Sequence, residues 1–310
     1  MTHISVIIPV YKAENCLHEL YRRLQGSLEV ISNDFEIILV EDGGGDRSWS
    51  IIVELAKLDE RVKGIKLSRN FGQHAATICG ISKASGEWII TIDDDLEQSP
   101  EDIYSLYEKA NEGYHLVYGV YKYRSHSFWR NITSQFARIL FKIAIPTLNY
   151  DYTSFRIIKK EIAKNLAHFD APFPFIDGYL SWLTHNYAIV TVKHYNRASG
   201  HSNYTFLKLL THTLNIFVTF SDLPLRCVTW VGLISFLIGV FLSFLIVANR
   251  LIGGITVSGY TSIITSLIIF SGLQLLVLGI IGEYLSRINF KTSKKPLFLV
   301  LIETSKPLNK

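Results

Sequence analysis

Two apolar stretches toward the C-terminal end, residues 228–248 and 260–282, contain no Asp, Glu, Lys or Arg, and they restrict this chain more than any other feature. Each approaches the ~20 residues with which a helix crosses the ~30 Å hydrocarbon core of a bilayer. A helix at a protein surface keeps a polar stripe, so runs this long and this apolar on every side predict two membrane-spanning helices. The intervening 249–259 carries only Arg250, whereas Arg226 precedes the pair and Arg287, Lys291, Lys294 and Lys295 follow it. Basic residues gather on the cytoplasmic flank of a span. The pair therefore reads as a hairpin in the cytoplasmic (inner) membrane, multi-pass, with both termini cytoplasmic.

What remains is large enough for one α/β domain. The chain has 310 residues and a net charge of only +4, without a Lys/Arg-rich run, so a nucleic-acid partner is not expected. A mean hydropathy of +0.23 favours membrane lipids as the surrounding instead. Cys16, Cys79 and Cys227 are far apart and odd in number, which suits a reducing compartment and indicates neither a disulfide framework nor a zinc site. The apolar start from Ile4 to Val10 has no basic region before it and contains Pro9, so it reads as a strand and not as a signal peptide.

Up to about residue 120, short β-rich runs alternate with helical stretches, the pattern of βαβ units in a largely parallel sheet. Strands are expected at 3–10, 35–41, 62–67 and 88–92. In open sheets of this kind ligands bind beyond the carboxyl ends of the strands. Two acidic clusters fall there, Glu41-Asp42 and Asp93-Asp94-Asp95. Carboxylates so placed suit a hard divalent ion, Mg²⁺ or Mn²⁺, shared with a diphosphate. Further on, Trp129, Ile132, Phe136, Leu140 and Ile143 recur at helical spacing with Arg130, Arg138 and Lys142 on other faces. This predicts an amphipathic helix over 127–145, either on a protein core or in a lipid headgroup layer.

Several segments together resemble a known family. They are Val6-Ile7-Ile8-Pro9-Val10-Tyr11, Val40-Glu41-Asp42-Gly43, Leu67-Ser68-Arg69-Asn70-Phe71-Gly72, and Ile92-Asp93-Asp94-Asp95-Leu96-Glu97-Gln98-Ser99-Pro100-Glu101. Later ones are Tyr118-Gly119-Val120, Ser154-Phe155-Arg156, Arg197-Ala198-Ser199-Gly200-His201-Ser202, Leu223-Pro224-Leu225-Arg226 and Gly279-Ile280-Ile281-Gly282-Glu283-Tyr284-Leu285. In this order, and around a two-span hairpin, they resemble family 2 glycosyltransferases of the GT-A fold, specifically the polyprenyl-phosphate branch that includes dolichol-phosphate mannose synthase and bactoprenol glucosyltransferase.

The resemblance implies a GT-A domain over 1–200, with a Rossmann-like, mostly parallel sheet. A juxtamembrane amphipathic segment over 201–226, the hairpin over 227–284 and a basic cytoplasmic tail over 285–310 would follow. It implies inverting transfer of one hexose-type sugar from a nucleotide-sugar donor, by analogy a UDP-sugar, to polyprenyl (undecaprenyl) phosphate for cell-surface glycan synthesis or modification. Pro9, Val10 and Tyr11 would line the nucleotide site, with Glu41, Asp42, Arg69 and Asp94 around it. Asp93 and Asp95 would face ribose, diphosphate and metal, with Glu97, where relatives often have Gln, as a further metal ligand. Lys122, Arg124, Arg130 and Ser134 would meet the acceptor phosphate, and Arg197, His201 and Ser202 would close over the diphosphate. Self-association into a homo-oligomer is compatible with this layout.

A phosphate acceptor with a second pKa of about 6 is ionised near neutrality and needs no protein base. A sugar hydroxyl would need one, and Asp177 is the candidate. Two other readings follow: a transferase extending a lipid-linked or polymeric glycan with Asp177 as base, and a noncatalytic membrane scaffold on the same fold.

Overall fold

The computed structural model describes residues 3–121, 151–166, 174–193, 259–292 and 296–304, with isolated positions between 230 and 244. Strand β1 (Ile4–Val10) and β2 (Phe35–Glu41) are buried at every one of their seven positions. Continuous apolar runs of this kind belong to strands covered on both faces. β1 pairs in parallel with β2 on one side and with β4 (Trp88–Thr91) on the other, and β2 pairs in parallel with β3 (Val62–Leu67). These four strands match the expected ranges to within one residue at either end. Beyond β4 lie β6 (Arg156–Lys159), antiparallel to it, then β5 (Leu116–Tyr121), then β7 (Tyr187–Val192) parallel to β5. The eight-stranded sheet runs β7-β5-β6-β4-β1-β2-β3-β8, where β8 is Val300–Glu303.

Helices cover both faces. On one side α1 (Leu17–Glu29) presents Leu17, Leu20, Leu24 and Leu28 as a single buried stripe, joined in the same core by residues of α2 (Ser48–Leu58) and α4 (Ile103–Asn111). On the other side α3 (Gln73–Lys83) is buried from Ala75 to Ile81, and it shares a core with α5 (Lys160–Leu166) and α6 (Ile176–Leu183). Gly80 lets α3 lie close to the sheet, because a Cβ there would come within 2.3 Å of Ile7 Cγ2. Since the chain passes from β1 outward to β3 and then returns to β4 on the far side of β1, the sheet has a topological switch between β1 and β4. The pairings leave β1, β2, β3, β4, β5 and β7 pointing their carboxyl ends to one edge, where the acidic clusters sit.

Helix α7 (Tyr260–Thr292) runs 33 residues through the second apolar stretch. Among the described residues, no helix is long and apolar enough to cross a membrane. The juxtamembrane segment 201–226, the amphipathic helix expected over 127–145 and most of the first apolar stretch lie outside the described residues. Within the stretch 285–310, expected as a basic tail, α7 extends through the first part, and residues 300–303 form β8, antiparallel to β3. Four residues with partly exposed side chains carry little local signal, and here the neighbouring β3 supplies the pairing partner.

Candidate functional site

The crevice opens where β4 stops. Ile7 O receives Ile92 N on the β4 side and Val10 O receives Asp42 N on the β2 side, so by alternation the donor that Pro9 lacks would have faced the gap beyond β4. Val10 is fully buried, whereas Tyr11 is exposed and its backbone N–H donates to Asp94 Oδ2 at 2.9 Å. Lys12, at φ 57°, and Leu96, at φ 61°, hold left-handed backbone conformations in the two loops that meet here. Non-glycine residues adopt that region at some cost, and such residues concentrate at binding sites.

At the end of β2, Glu41 and Asp42 turn inward. Glu41 Oε1 accepts from Gly44 N at 2.6 Å, while the equally buried Oε2 has no partner among the described residues. Asp42, 3% exposed, accepts from Phe71 N at 2.7 Å and Gly72 N at 2.8 Å with its two oxygens. Burial raises its pKa despite those two bonds. Asp42 therefore anchors the loop after β3, and both of its oxygens are engaged in doing so. Gly43 (φ 66°) lies against that loop, where a Cβ would meet Asn70 N at 2.6 Å. Arg69 stacks its guanidinium over Phe71, 4.5 Å from the ring centroid.

The loop after β4 holds the remaining carboxylates. Asp93 accepts from Gln73 Nε2 (2.6 Å) on Oδ1, and from Gln98 Nε2 (2.9 Å) and Ser154 Oγ (2.5 Å) on Oδ2. Gln98 Oε1 closes the ring by accepting Asp93 N at 2.9 Å. Asp95 Oδ1 accepts Glu97 N at 3.1 Å. Burial, and after it the neighbouring carboxylates, push the Asp93 carboxyl up to about 6 and the Asp94 carboxyl up to about 7. Tyr121, the last residue of β5, is raised by burial and then by Asp93, which places it close to the same cluster.

The expected metal set of Asp93, Asp95 and Glu97 lies on this one loop after β4. Among the described residues no three acidic, His or Cys side chains come together to hold a metal. Both Asp93 oxygens are committed to Gln73, Gln98 and Ser154. The donor chemistry nevertheless fits a hard divalent cation. Every candidate ligand is a carboxylate oxygen, and the raised Asp93 and Asp94 pKa values mark a cluster whose negative charge is poorly compensated by the protein. Asp95, with Asp93 and Glu97 on the same loop, is where such an ion would be held.

Asp177 comes from α6, and its partner Arg156 is close enough to Asp93 to offset part of the rise that burial causes in that carboxyl's pKa. Asp177 is 4% exposed in the first turn of α6, ion-paired with Arg156 Nη1, and its Oδ1 also accepts from Tyr118 Oη at 3.2 Å. Arg156 further donates from Nε to Thr91 Oγ1 at 3.1 Å. Burial opposes the guanidinium charge and Asp177 more than offsets it, so the Arg156 pKa is raised. Asp177, the expected base for a hydroxyl acceptor, is thus buried and ion-paired, and burial raises its own pKa despite Arg156. Lys122, Arg124, Arg130, Ser134, Arg197, His201 and Ser202 lie outside the described residues. The chain leaves β5 and β7 for those segments from the same edge that carries the acidic loops.

Gln73, Gln98, Ser154 and Arg156 were not picked out from the sequence as functional. Gln98, Ser154 and Arg156 stand inside motif segments already recognised, which was the available signal; Gln73 had none, since it opens an ordinary helix.

Comparison with known proteins places the chain. The description "Glycosyl transferase family 2" matches residues 5–170. The chain is 33% identical over 298 residues to a Bacillus subtilis (strain 168) protein named uncharacterized glycosyltransferase YkcC, covering 96% of this chain and 92% of that protein. It is 32% identical over 301 residues to an undecaprenyl-phosphate 4-deoxy-4-formamido-L-arabinose transferase of Pseudomonas aeruginosa (strain LESB58), covering 96% and 89%. The like-named Pectobacterium carotovorum protein is 31% identical over 302 residues, covering 96% and 92%. Among solved structures, glucosyl-3-phosphoglycerate synthase from Mycobacterium tuberculosis is similar at 18% identity and a TM-score of 0.49, covering 70% of this chain and 77% of that one.

Proposed function

Because the chain belongs to glycosyl transferase family 2 and is a glycosyltransferase with a GT-A sheet, we propose that it transfers one hexose-type sugar, with inversion, from a UDP-sugar to undecaprenyl phosphate at the cytoplasmic face of the cytoplasmic membrane. The observation that carries this reading is the extent of the likeness: transferases named for undecaprenyl phosphate match over 96% of the chain, the apolar hairpin included, and not over the catalytic half alone.

The residues divide the work. The nucleotide lies along Pro9, Val10 and Tyr11 and against the loop that Asp42 anchors. Asp93, held in one orientation by Gln73, Gln98 and Ser154, receives a hydroxyl or diphosphate neighbour. Asp95, with Asp93 and Glu97 alongside, would hold a divalent cation, Mg²⁺ or Mn²⁺, which would supply positive charge beside the nucleoside diphosphate. Lys122, Arg124, Arg130 and Ser134 hold the acceptor phosphate, where planar guanidinium groups can donate paired hydrogen bonds. Arg197, His201 and Ser202 cover the diphosphate. No side chain acts as an essential base, because the phosphate oxygen is itself the nucleophile and Asp177 is occupied by Arg156.

The membrane placement rests on the charge-free runs 228–248 and 260–282 and their basic flanks. β8 is compatible with it, since a chain that returns to the catalytic sheet after the two runs has both flanks on one side. The test is to incubate the full-length protein in undecaprenyl-phosphate vesicles with radiolabelled UDP-sugars and a divalent cation, and to count label in the organic phase. Label is expected with the phosphate and not with undecaprenol. Equal labelling of the alcohol would replace this reading with extension of a hydroxyl acceptor.

A further inference from the structure

Among the described residues, the C-terminal strand is linked to the crevice through the short loop 68–73. Ser68 N, the first residue after β3, donates to Leu299 O at 2.9 Å. Three residues later Phe71 N and Gly72 N bond Asp42, and the next residue, Gln73, reaches Asp93 Oδ1 at 2.6 Å. Residues 68–73 thus form a bridge with one end on the tail and the other on both acidic clusters.

β8 is fastened along its length. Gly64 N donates to Thr304 Oγ1 and Thr304 N donates back to Gly64 O, each at 2.9 Å. Glu303 forms an ion pair at 2.7 Å with Lys83, in the last turn of α3. Leu297, Phe298 and Val300 pack on the core that contains α3. The tail therefore grips β3, which leads into the bridging loop, and the far end of α3, the helix that follows it. From the end of α7 at Thr292 to the start of β8 at Val300 there are few intervening residues. At ~3.5 Å per extended residue the end of the apolar helix stays within about 30 Å of β8.

We propose that β8 is a positioning element of the nucleotide site: zipped onto β3, it holds loop 68–73 so that Phe71 N and Gly72 N meet Asp42 and Gln73 meets Asp93. The site is then complete only when the segment beyond the apolar hairpin is docked, which makes donor binding depend on the C-terminal end of the chain. This goes beyond the proposed function but uses its donor assignment in one of two readouts.

The experiment compares full-length wild-type protein with the double variant Glu303→Lys/Thr304→Ala, which removes the Lys83 ion pair and the acceptor for Gly64 N while leaving every acidic-cluster residue in place. Hydrogen exchange of the peptide spanning 68–73, measured without ligand, is expected to quicken about fivefold or more in the variant, while peptides of β1 and α1 keep their protection. Affinity for UDP with Mn²⁺ is expected to fall about fivefold, with the KM for acceptor unchanged. The charge-reversed pair Lys83→Glu/Glu303→Lys is expected to restore most of the protection in the loop. Unchanged exchange at 68–73 in a variant whose β8 peptide has lost protection would overturn the proposal. If wild-type protein bound no UDP while the exchange result held, the positioning role would stand and the UDP assignment would fall. Should the double variant not fold, Thr304→Ala alone, read by the same exchange measurement, decides.

Discussion

Arg156 and Asp177 form an ion pair buried between β6 and α6, with Arg156 2% and Asp177 4% exposed. Taking one charge from such a pair leaves the other uncompensated away from water. Asp177→Asn is therefore expected to destabilise the protein by about 3 kcal/mol, while the folded fraction keeps most of its turnover. Thermal unfolding in detergent alongside activity per folded molecule measures both. A variant that unfolds at the wild-type temperature yet has no activity would return Asp177 to the role of base.

Asp95→Asn and Asp93→Asn are each expected to lower transfer on the order of a hundredfold or more without unfolding the protein. The reasons differ. Asp95 is proposed as a ligand of the cation, whereas Asp93 is also the acceptor for Gln73, Gln98 and Ser154. Mn²⁺ titration followed by thermal shift separates them: Asp95→Asn should lose the stabilisation by the ion, and Asp93→Asn should retain more of it. A full metal-dependent shift in Asp95→Asn excludes that residue as ligand.

Gly43→Ala is expected to weaken nucleotide binding about tenfold or more, since φ is 66° and the new Cβ would meet Asn70 N at 2.6 Å. The loop that Asp42 anchors would have to move. Isothermal titration with UDP reads this directly, and wild-type affinity in the variant would show that the loop yields without consequence.

The Cys79 thiol, fully buried on α3, is pushed up to about 12 by burial. At pH 8.5 a thiol of that kind is ionised to only about three parts in ten thousand. Folded protein should leave Cys79 unalkylated by iodoacetamide at this pH, and denatured protein should react. Because the folded state keeps a proton that the unfolded thiol, with its ordinary value of 9.0, releases, this group subtracts stability as pH rises from there toward about 12. Mass spectrometry of the tryptic peptide is the measurement, and rapid labelling of native protein would contradict the burial.

β1 to β4 were legible in the chain because a strand covered on both faces must be apolar throughout, and their acidic ends because carboxylates seldom follow such strands without a ligand to hold. The GT-A family resemblance came from the order of short segments, each weak alone. What a segment touches is another matter. Asp177 looks like any aspartate opening a helix until the sheet brings Arg156, on β6, against it. The three partners of Asp93 come from α3, from its own loop and from the residues just before β6, a set that only the packing of α3 on the sheet and the pairing of β6 with β4 assembles. The last strand makes the contrast plainest. Val300–Glu303 has no pattern strong enough to declare itself, and it becomes β8 because β3, some 240 residues earlier in the chain for the Gly64–Thr304 pair, offers an unfilled row of backbone groups. Local burial wrote the strands and the acidic turns into the sequence; long-range hydrogen bonding and charge pairing decided which groups each carboxylate meets.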